Sequence, residues 1–338
     1  MKETLNMNKC NFPAMSLIVI TPDRYETIRK LMRGLRAQTI KEKLEIVIVS
    51  PSIHTLDLDE SQLQGFWGFC LVEFGPIQSS AGARATGIRK ASAPIVAFTE
   101  DHSYPDPHWA EALLKSHEQP WAAVGPVIRN ANPKSLISWT NLLIEYGPWL
   151  EPASSGIMEH LPGHNSSYKR MILLDYGSEL ENLLEAETLL HWDLKRKGYN
   201  LYLESEAKTS HLNFSSTFSW LTLRFHCGRL FAEFRRRNGR WSLPKRFFYI
   251  GAAPLIPLVR LRRTWKELKR PGRQQLHLLP RILPFLILGL ILDGMGEMVG
   301  YAFSLGNAKK KIYQLDFHRY RYLSKKDRKA ERESLSLD

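Results

Sequence analysis

Short apolar runs alternating with helix signals across the first half of the chain constrain it more than anything else in it. "SLIVI" (16–20) is continuous, apolar and β-branched, which suits a strand buried on both faces. Asp23 and Glu26 follow at capping-box spacing, and Ile28, Leu31, Met32 and Leu35 recur at helical intervals. "EIVIV" (45–49) and "CLVEF" (70–74) read as two more strands, "AGARATGIRKAS" (81–92) as a helix and "PIVAF" (94–98) as a further strand. Asp106 as N-cap and Pro107 at the first helical position predict another helix. Such alternation predicts an α/β domain whose parallel sheet is covered on both faces.

Ligands bind such sheets beyond the carboxyl ends of the strands. Thr21–Asp23, Ser50–Ser52 and Glu100–His102 all fall there. The last group belongs to "FTEDHSYPDPHW" (98–109), three potential ligands in a row before a proline-rich turn. Either a cation or substrate shares them, or they form a capping turn ahead of the helix at Asp106.

Residues 136–215 mix short elements around a polar loop, "LPGHNSSYKR" (161–170). One helix is expected from about Leu183 to Lys197, with Gly198 as its C′ residue. On its wheel Leu183, Ala186, Leu190 and Leu194 form the apolar stripe. Glu187 falls inside that stripe and Glu185 on the opposite side. An acid on the inward face needs a partner or a function.

The charge is uneven. The chain carries a formal +13, and Arg229–Arg273 alone holds 14 Lys or Arg against Glu233 and Glu267. A concentrated basic segment implies an anionic partner. "RRRNGRWSLPKR" (235–246) would suit nucleic acid by itself. The apolar runs beside it, "RFFYIGAAPLIPLVRL" (246–261) and "ILPFLILGLILDGMGEMVGYAFSLG" (282–306), favour a phospholipid surface instead. The second run is interrupted at Asp293, Gly294, Gly296 and Glu297, and an acid near a bilayer centre is costly. Helices lying in the interface, or a re-entrant hairpin, are therefore expected in preference to a span. Cys10, Cys70 and Cys227 are too few and scattered for a disulfide framework or zinc site, which implies a reducing compartment. "MKETLNMNKCNF" (1–12) has no apolar core and does not read as a secretory signal.

Six segments, in order, resemble the inverting family 2 glycosyltransferases across about residues 15–212. "SLIVITPDR" (16–24) stands for the family's first strand and turn, and "EIVIVSPS" (45–52) for its second, with Ser50 and Pro51 replacing two aspartates. "ARATGI" (83–88) retains Arg84 and Gly87 of the A-R-N-x-G-I helix. "FTEDHSYP" (98–105) takes the place of the metal-binding Asp-x-Asp loop, with His102 replacing its last aspartate. "AETLLHWDLKRKG" (186–198) aligns Glu187 with the catalytic aspartate, and Ala186 replaces the acid before it. "YNLYLESEAKTSH" (199–211) ends in a histidine, His211, where the family often has one.

The resemblance implies a GT-A, Rossmann-like nucleotide-sugar-binding domain at 1–215 and a basic, apolar, mostly helical membrane-associated region at 216–338. It implies Thr21, Asp23, Arg24, Ser50, Arg84 and Glu100 on the nucleotide-sugar, and Glu187 as the base for the acceptor hydroxyl. A divalent ion, Mn²⁺ or Mg²⁺, would be held by Asp101, His102 and His211. Gly163, His164 and Asn165, with Ser166, would line the sugar and acceptor side. Read singly, His164, His191 and His226 are structural. Glu187 has the alternative of pairing with the basic tail, His211 of a structural role, and Asp23 of an N-cap. The partners implied are a nucleotide-sugar donor, a lipid-linked or polysaccharide acceptor and the cytoplasmic face of a membrane, with no nucleic acid. The alternative is a non-catalytic member of the same fold that binds a nucleotide-sugar or a partner.

Overall fold

The computed structural model describes residues 12–335 apart from 271 and 273. Cys10 and the amino-terminal stretch read for a signal lie outside the described residues, except for Phe12. Its centre is a sheet of nine strands. β1 (Met15–Ile20), β2 (Leu44–Ser50), β3 (Gly68–Glu73) and β4 (Ile95–Thr99) run parallel in the order β3-β2-β1-β4. Every residue of β1 and β2 is buried, and the buried Glu45 accepts from the Ser16 hydroxyl and the Ser92 amide.

Beyond β4 the sheet turns mixed. β8 (Ser167–Lys169) pairs antiparallel with β4 and β6 (Ala123–Asn130), and β9 (Leu201–His211) lies parallel to β6. β5 (Ser103–Pro105) and β7 (Gly156–Met158) pair antiparallel with β9. A wholly parallel sheet thus describes only the amino-terminal part.

Helix α1 (Tyr25–Arg36) buries Ile28, Leu31, Met32 and Leu35 against the sheet, roughly 1.5–3 kcal/mol for each side chain. α2 (Ser80–Lys90) packs on the other face, with α3 (Trp109–Ser116) and α4 (Leu136–Tyr146) further along the chain. Two expected caps differ. Arg24, not Asp23, is the N-cap of α1, and the Asp23 carboxylate accepts from the Arg24 amide and the Thr27 hydroxyl instead. α3 starts after His108, because Asp106 is drawn 2.6 Å from the Arg129 guanidinium.

The expected helix at 183–197 is two helices. After the short α5 (Arg170–Leu174), α6 (Leu180–Leu184) and α7 (Glu187–Arg196) meet at Ala186, whose extended φ of −147° breaks the spiral. No single wheel applies, so Glu185 does not point away from Glu187. Gly198 ends α7 in the left-handed region (φ 87°), as its C′ position predicts.

The carboxyl-terminal region is a helical bundle docked on this domain. It comprises α8 (Thr217–Asn238), α9 (Leu243–Ala252), α10 (Ile256–Leu268), α11 (Leu279–Phe303), α12 (Ala308–Asp316) and α13 (Lys325–Leu335). α11 runs unbroken through the interruption of the apolar run at Asp293. Asp293 lies 2.9 Å from Arg224 and 2.8 Å from Arg260, and Glu297 also meets Arg260, so both acids are neutralised inside the bundle. α8 and α11 touch backbone to backbone, since a Cβ at Gly296 would stand 2.0 Å from the Phe225 carbonyl oxygen.

Candidate functional site

Beyond the carboxyl end of β4, Glu100, Asp101 and His102 form a tight turn into β5, closed by the Ser103 amide on the Glu100 carbonyl at 3.0 Å. β5 begins at Ser103 and pairs it with His211, the last residue of β9. The Leu212 amide donates to the His102 carbonyl at 2.9 Å, which fixes the two histidines side by side. Their rings stand edge to face with centroids 4.9 Å apart.

Glu100, His102 and His211 form a buried group whose ligand atoms all lie within 4.8 Å of one another. His211 Nδ1 is 2.9 Å from Asn213 Oδ1, which only accepts, so Nδ1 carries the proton and Nε2 a lone pair. His102 Nδ1 is 2.5 Å from Asp101 Oδ1, whose carboxyl burial pushes well above its ordinary range. The two Nε2 atoms lie 3.6 Å and 3.4 Å from the Glu100 oxygens without hydrogen-bond geometry, and both are buried without a partner among the described residues. Orphaned buried ring nitrogens facing a carboxylate fit a cation between them, with Asp101 and Asn213 orienting the ligands from behind.

The electrostatics agree with that fit. Burial, then the Arg319 charge, lowers His102 to about 3 and keeps the ring neutral. Tyr146 at 3.1 Å and Asn165 at 2.8 Å donate to the same Glu100 oxygen.

Beside this group opens a cavity of about 300 Å³ reached by Glu100, Gly163, His164, Glu185 and Glu187. Glu187, at the start of α7, is buried and accepts from Arg84 at 2.5 Å, while His164 Nδ1 lies 2.7 Å away. Burial would raise its pKa, but His164 and Arg84 outweigh this and lower it to about 2. Gly163 is required at its position, because a Cβ there would stand 2.5 Å from Glu187 Cβ.

The remaining expected residues scatter. Thr21 is buried and its hydroxyl donates to the Arg24 carbonyl, closing the turn that holds Asp23. Arg24 is exposed and does not line the cavity, and Ser50 is buried with a hydroxyl that has no partner among the described residues. Asp101 sits behind His102 rather than beside His211, and Glu100 stands with the two histidines. His164 and His191 are both engaged: His191 Nε2 lies 2.8 Å from the Tyr168 hydroxyl. Tyr146, Glu185, Asn213, Lys309, Asp316 and Arg319 were not foreseen; only Asn213, two residues after His211, carried a local signal.

Residues 16–177 match the sequence profile described as Glycosyl transferase family 2. The chain carries a family 2 glycosyltransferase domain. The matched segment of this glycosyltransferase includes β1, the Glu100–His102 turn after β4 and the Gly163–Asn165 turn, whereas Glu187 and His211 lie beyond it. Among solved structures, a mannosyltransferase from Pyrobaculum calidifontis in complex with GDP-Man and Mn²⁺ aligns over 87% of each chain at 16% identity, with a TM-score of 0.50. GalNAc-T7 with UDP, GalNAc and Mn²⁺ aligns at 12% identity with a TM-score of 0.44, over 60% of this chain and 44% of its own. S. aureus TarS in complex with UDP aligns at 15% identity with a TM-score of 0.44, over 85% of this chain and 90% of its own. The first shares the GT-A fold with the present glycosyltransferase. No curated protein matches the chain in sequence.

Proposed function

We propose that this protein is an inverting, metal-assisted glycosyltransferase that moves a sugar from a nucleotide-sugar donor to an acceptor hydroxyl at a membrane surface. One observation carries the reading: two buried imidazole nitrogens, without a hydrogen-bond partner among the described residues, face Glu100 beyond the carboxyl end of β4. Glu100, His102 and His211 would hold the cation. Two imidazoles and one carboxylate suit Mn²⁺ better than Mg²⁺, which prefers oxygen. Such an ion neutralises the charge of a diphosphate leaving group.

The nucleotide would lie over the carboxyl ends of β1 and β2, near Thr21, Asp23 and Ser50, with Arg84 behind it. Gly163 and His164 would face the sugar and acceptor. Glu187 would take the acceptor proton, a role worth ~10²–10⁴-fold in rate. A carboxyl lowered to about 2 is a weak base, and its hold by Arg84 and His164 favours a second reading, a donor-binding member without turnover. Thermal shift with UDP, GDP, dTDP and CDP, with and without Mn²⁺, tests the donor site. A ligand at 100 Kd adds about 2.7 kcal/mol. A manganese-dependent shift with one nucleotide class, lost in His211→Ala, supports the site; no shift with any of them on folded protein sinks it. Donor binding without transfer or donor hydrolysis would select the second reading.

The membrane part rests on the bundle. One helical stretch among the described residues, Gln275–Phe303, is long and apolar enough to cross a bilayer, and 44% of its apolar window is buried against protein. Phe247, Phe248, Leu255 and Leu258 on the neighbouring segments are each more than half exposed, beside the basic cluster of 235–246. Apolar residues among arginines favour interfacial docking on an anionic, cytoplasmic leaflet, with a lipid-linked or polysaccharide acceptor. Phe247→Ser with Phe248→Ser should abolish sedimentation with anionic liposomes; unchanged sedimentation would remove this part of the proposal.

A further inference from the structure

The chain returns from the bundle to the site. Residues 304–323 cross its mouth: Lys309 and Asp316 of α12 reach the cavity, Phe317 is buried in the core, and His318 turns the backbone through the left-handed region (φ 76°). Arg319 follows and also lines the cavity, although it is only 4% exposed. Its guanidinium lies 4.0 Å over the Phe214 ring and Nη2 is 2.5 Å from Asp316 Oδ1. Nη1 reaches the Leu212 carbonyl only at 3.4 Å, and Nε is buried without a partner among the described residues.

Asp316 is partly exposed beside the site. It and Phe317 line the small space at the carboxyl ends of β1 and β4, together with Arg84, Glu100 and Asp101, and leave it only about 20 Å³. A diphosphate reaching the Glu100–His102–His211 group from the nucleotide side would need that space. A carboxylate beside two other acids is tolerated because Arg319 compensates it. Guanidinium groups bind carboxylate and phosphate through the same forked geometry, so one anion can replace the other.

We propose that Arg319 is a diphosphate-binding residue and that Asp316 occupies its place until donor arrives. The donor then takes Arg319 from Asp316, and the strap of residues 304–323 shifts off the ends of β1 and β4. This rests on reading the site as a nucleotide-sugar site. The bland alternative is an Asp–Arg pair three residues apart that merely fixes the strap.

The two readings differ in sign. The full chain, Asp316→Asn and Arg319→Gln are titrated calorimetrically with UDP, GDP, dTDP and CDP in the presence of Mn²⁺, and folding of each is checked by thermal melting. Asp316→Asn should bind the responsive nucleotide about tenfold more tightly than the unmodified protein, and Arg319→Gln about tenfold more weakly. Hydrogen exchange over 312–323 should rise when nucleotide is added to the unmodified protein. Loss of a purely structural pair would not tighten binding. If Arg319→Gln fails to fold, Asp316→Asn and the exchange data decide. Nucleotide binding that Asp316→Asn leaves unchanged or weaker overturns the proposal while the donor site stands. No binding by any folded variant overturns both.

Discussion

Arg84 Nη1 lies 2.5 Å from Glu187 Oε1, and this contact joins α2 to the first residue of α7 across 103 positions of sequence. Both side chains are buried, so neither charge can be left alone. Breaking a buried pair typically costs about 3–5 kcal/mol, because an uncompensated charge remains. Arg84→Met should fall at the lower end of that range, since His164 still faces the carboxylate. Adding Glu187→Gln should recover much of the loss. Urea unfolding of the two single variants and the double checks it; additive losses would show that the pair is not coupled.

Gly163→Ala is expected to disable the site from the acceptor side. Its Cβ would meet Glu187 Cβ at 2.5 Å and Cγ at 2.7 Å, so one chain must move. Overpacking of this kind costs about 1–3 kcal/mol. Turnover should fall by about 10²-fold through the misplaced carboxylate. A variant that loses stability but keeps its rate would separate Glu187 from the chemistry.

Asn213→Ala should weaken manganese binding without touching the ion. Asn213 fixes the His211 tautomer from Nδ1, and removing such a partner typically costs about 10–100-fold in metal affinity. Titration of free Mn²⁺ by electron paramagnetic resonance reads this directly. An unchanged affinity would leave His211 a structural residue.

Acid should destabilise the protein from pH 6.5 downward. Burial, followed by Lys169, lowers His117 to about 3, and burial lowers His191 to about 3 despite Glu187. Below 6.5 these rings are protonated in the unfolded chain and neutral in the folded one, so the unfolded state binds more protons. Stability therefore rises with pH between about 3 and 6.5 and is indifferent to these groups above that window. Melting temperatures from pH 4 to 8 should show the slope, and His117→Asn should flatten it. An equal slope in that variant would assign the acid sensitivity elsewhere.

Much of the frame was legible in the chain itself. "SLIVI", "EIVIV" and "PIVAF" match β1, β2 and β4 to within a residue at each end, because a strand buried on both faces is apolar at nearly every position, and Ser16 and Glu45 pair with each other inside. The helical intervals of α1 and the left-handed Gly198 were readable for the same local reason. Where local signals competed with distant partners, the partners won. Arg129 took Asp106 from its cap, the break at Ala186 turned Glu185 toward the cavity, and Arg224 with Arg260 let α11 pass through Asp293.

By itself the sequence determined the alternating elements, the family of the domain and the stretches from which a site would come. Periodicity and turn chemistry act over a few residues, so they survive in a string of letters. Which carboxylate faces which histidine was decided only by tertiary structure. Pairing Ser103 with His211 brings β9 beside the end of β4, and that register presents Glu100 while turning Asp101 behind His102. The turn between β4 and β5, closed by the Ser103 amide on the Glu100 carbonyl, sets that order. Arg319 reaches the same place from a segment more than 200 residues further on, and no local pattern encodes that return.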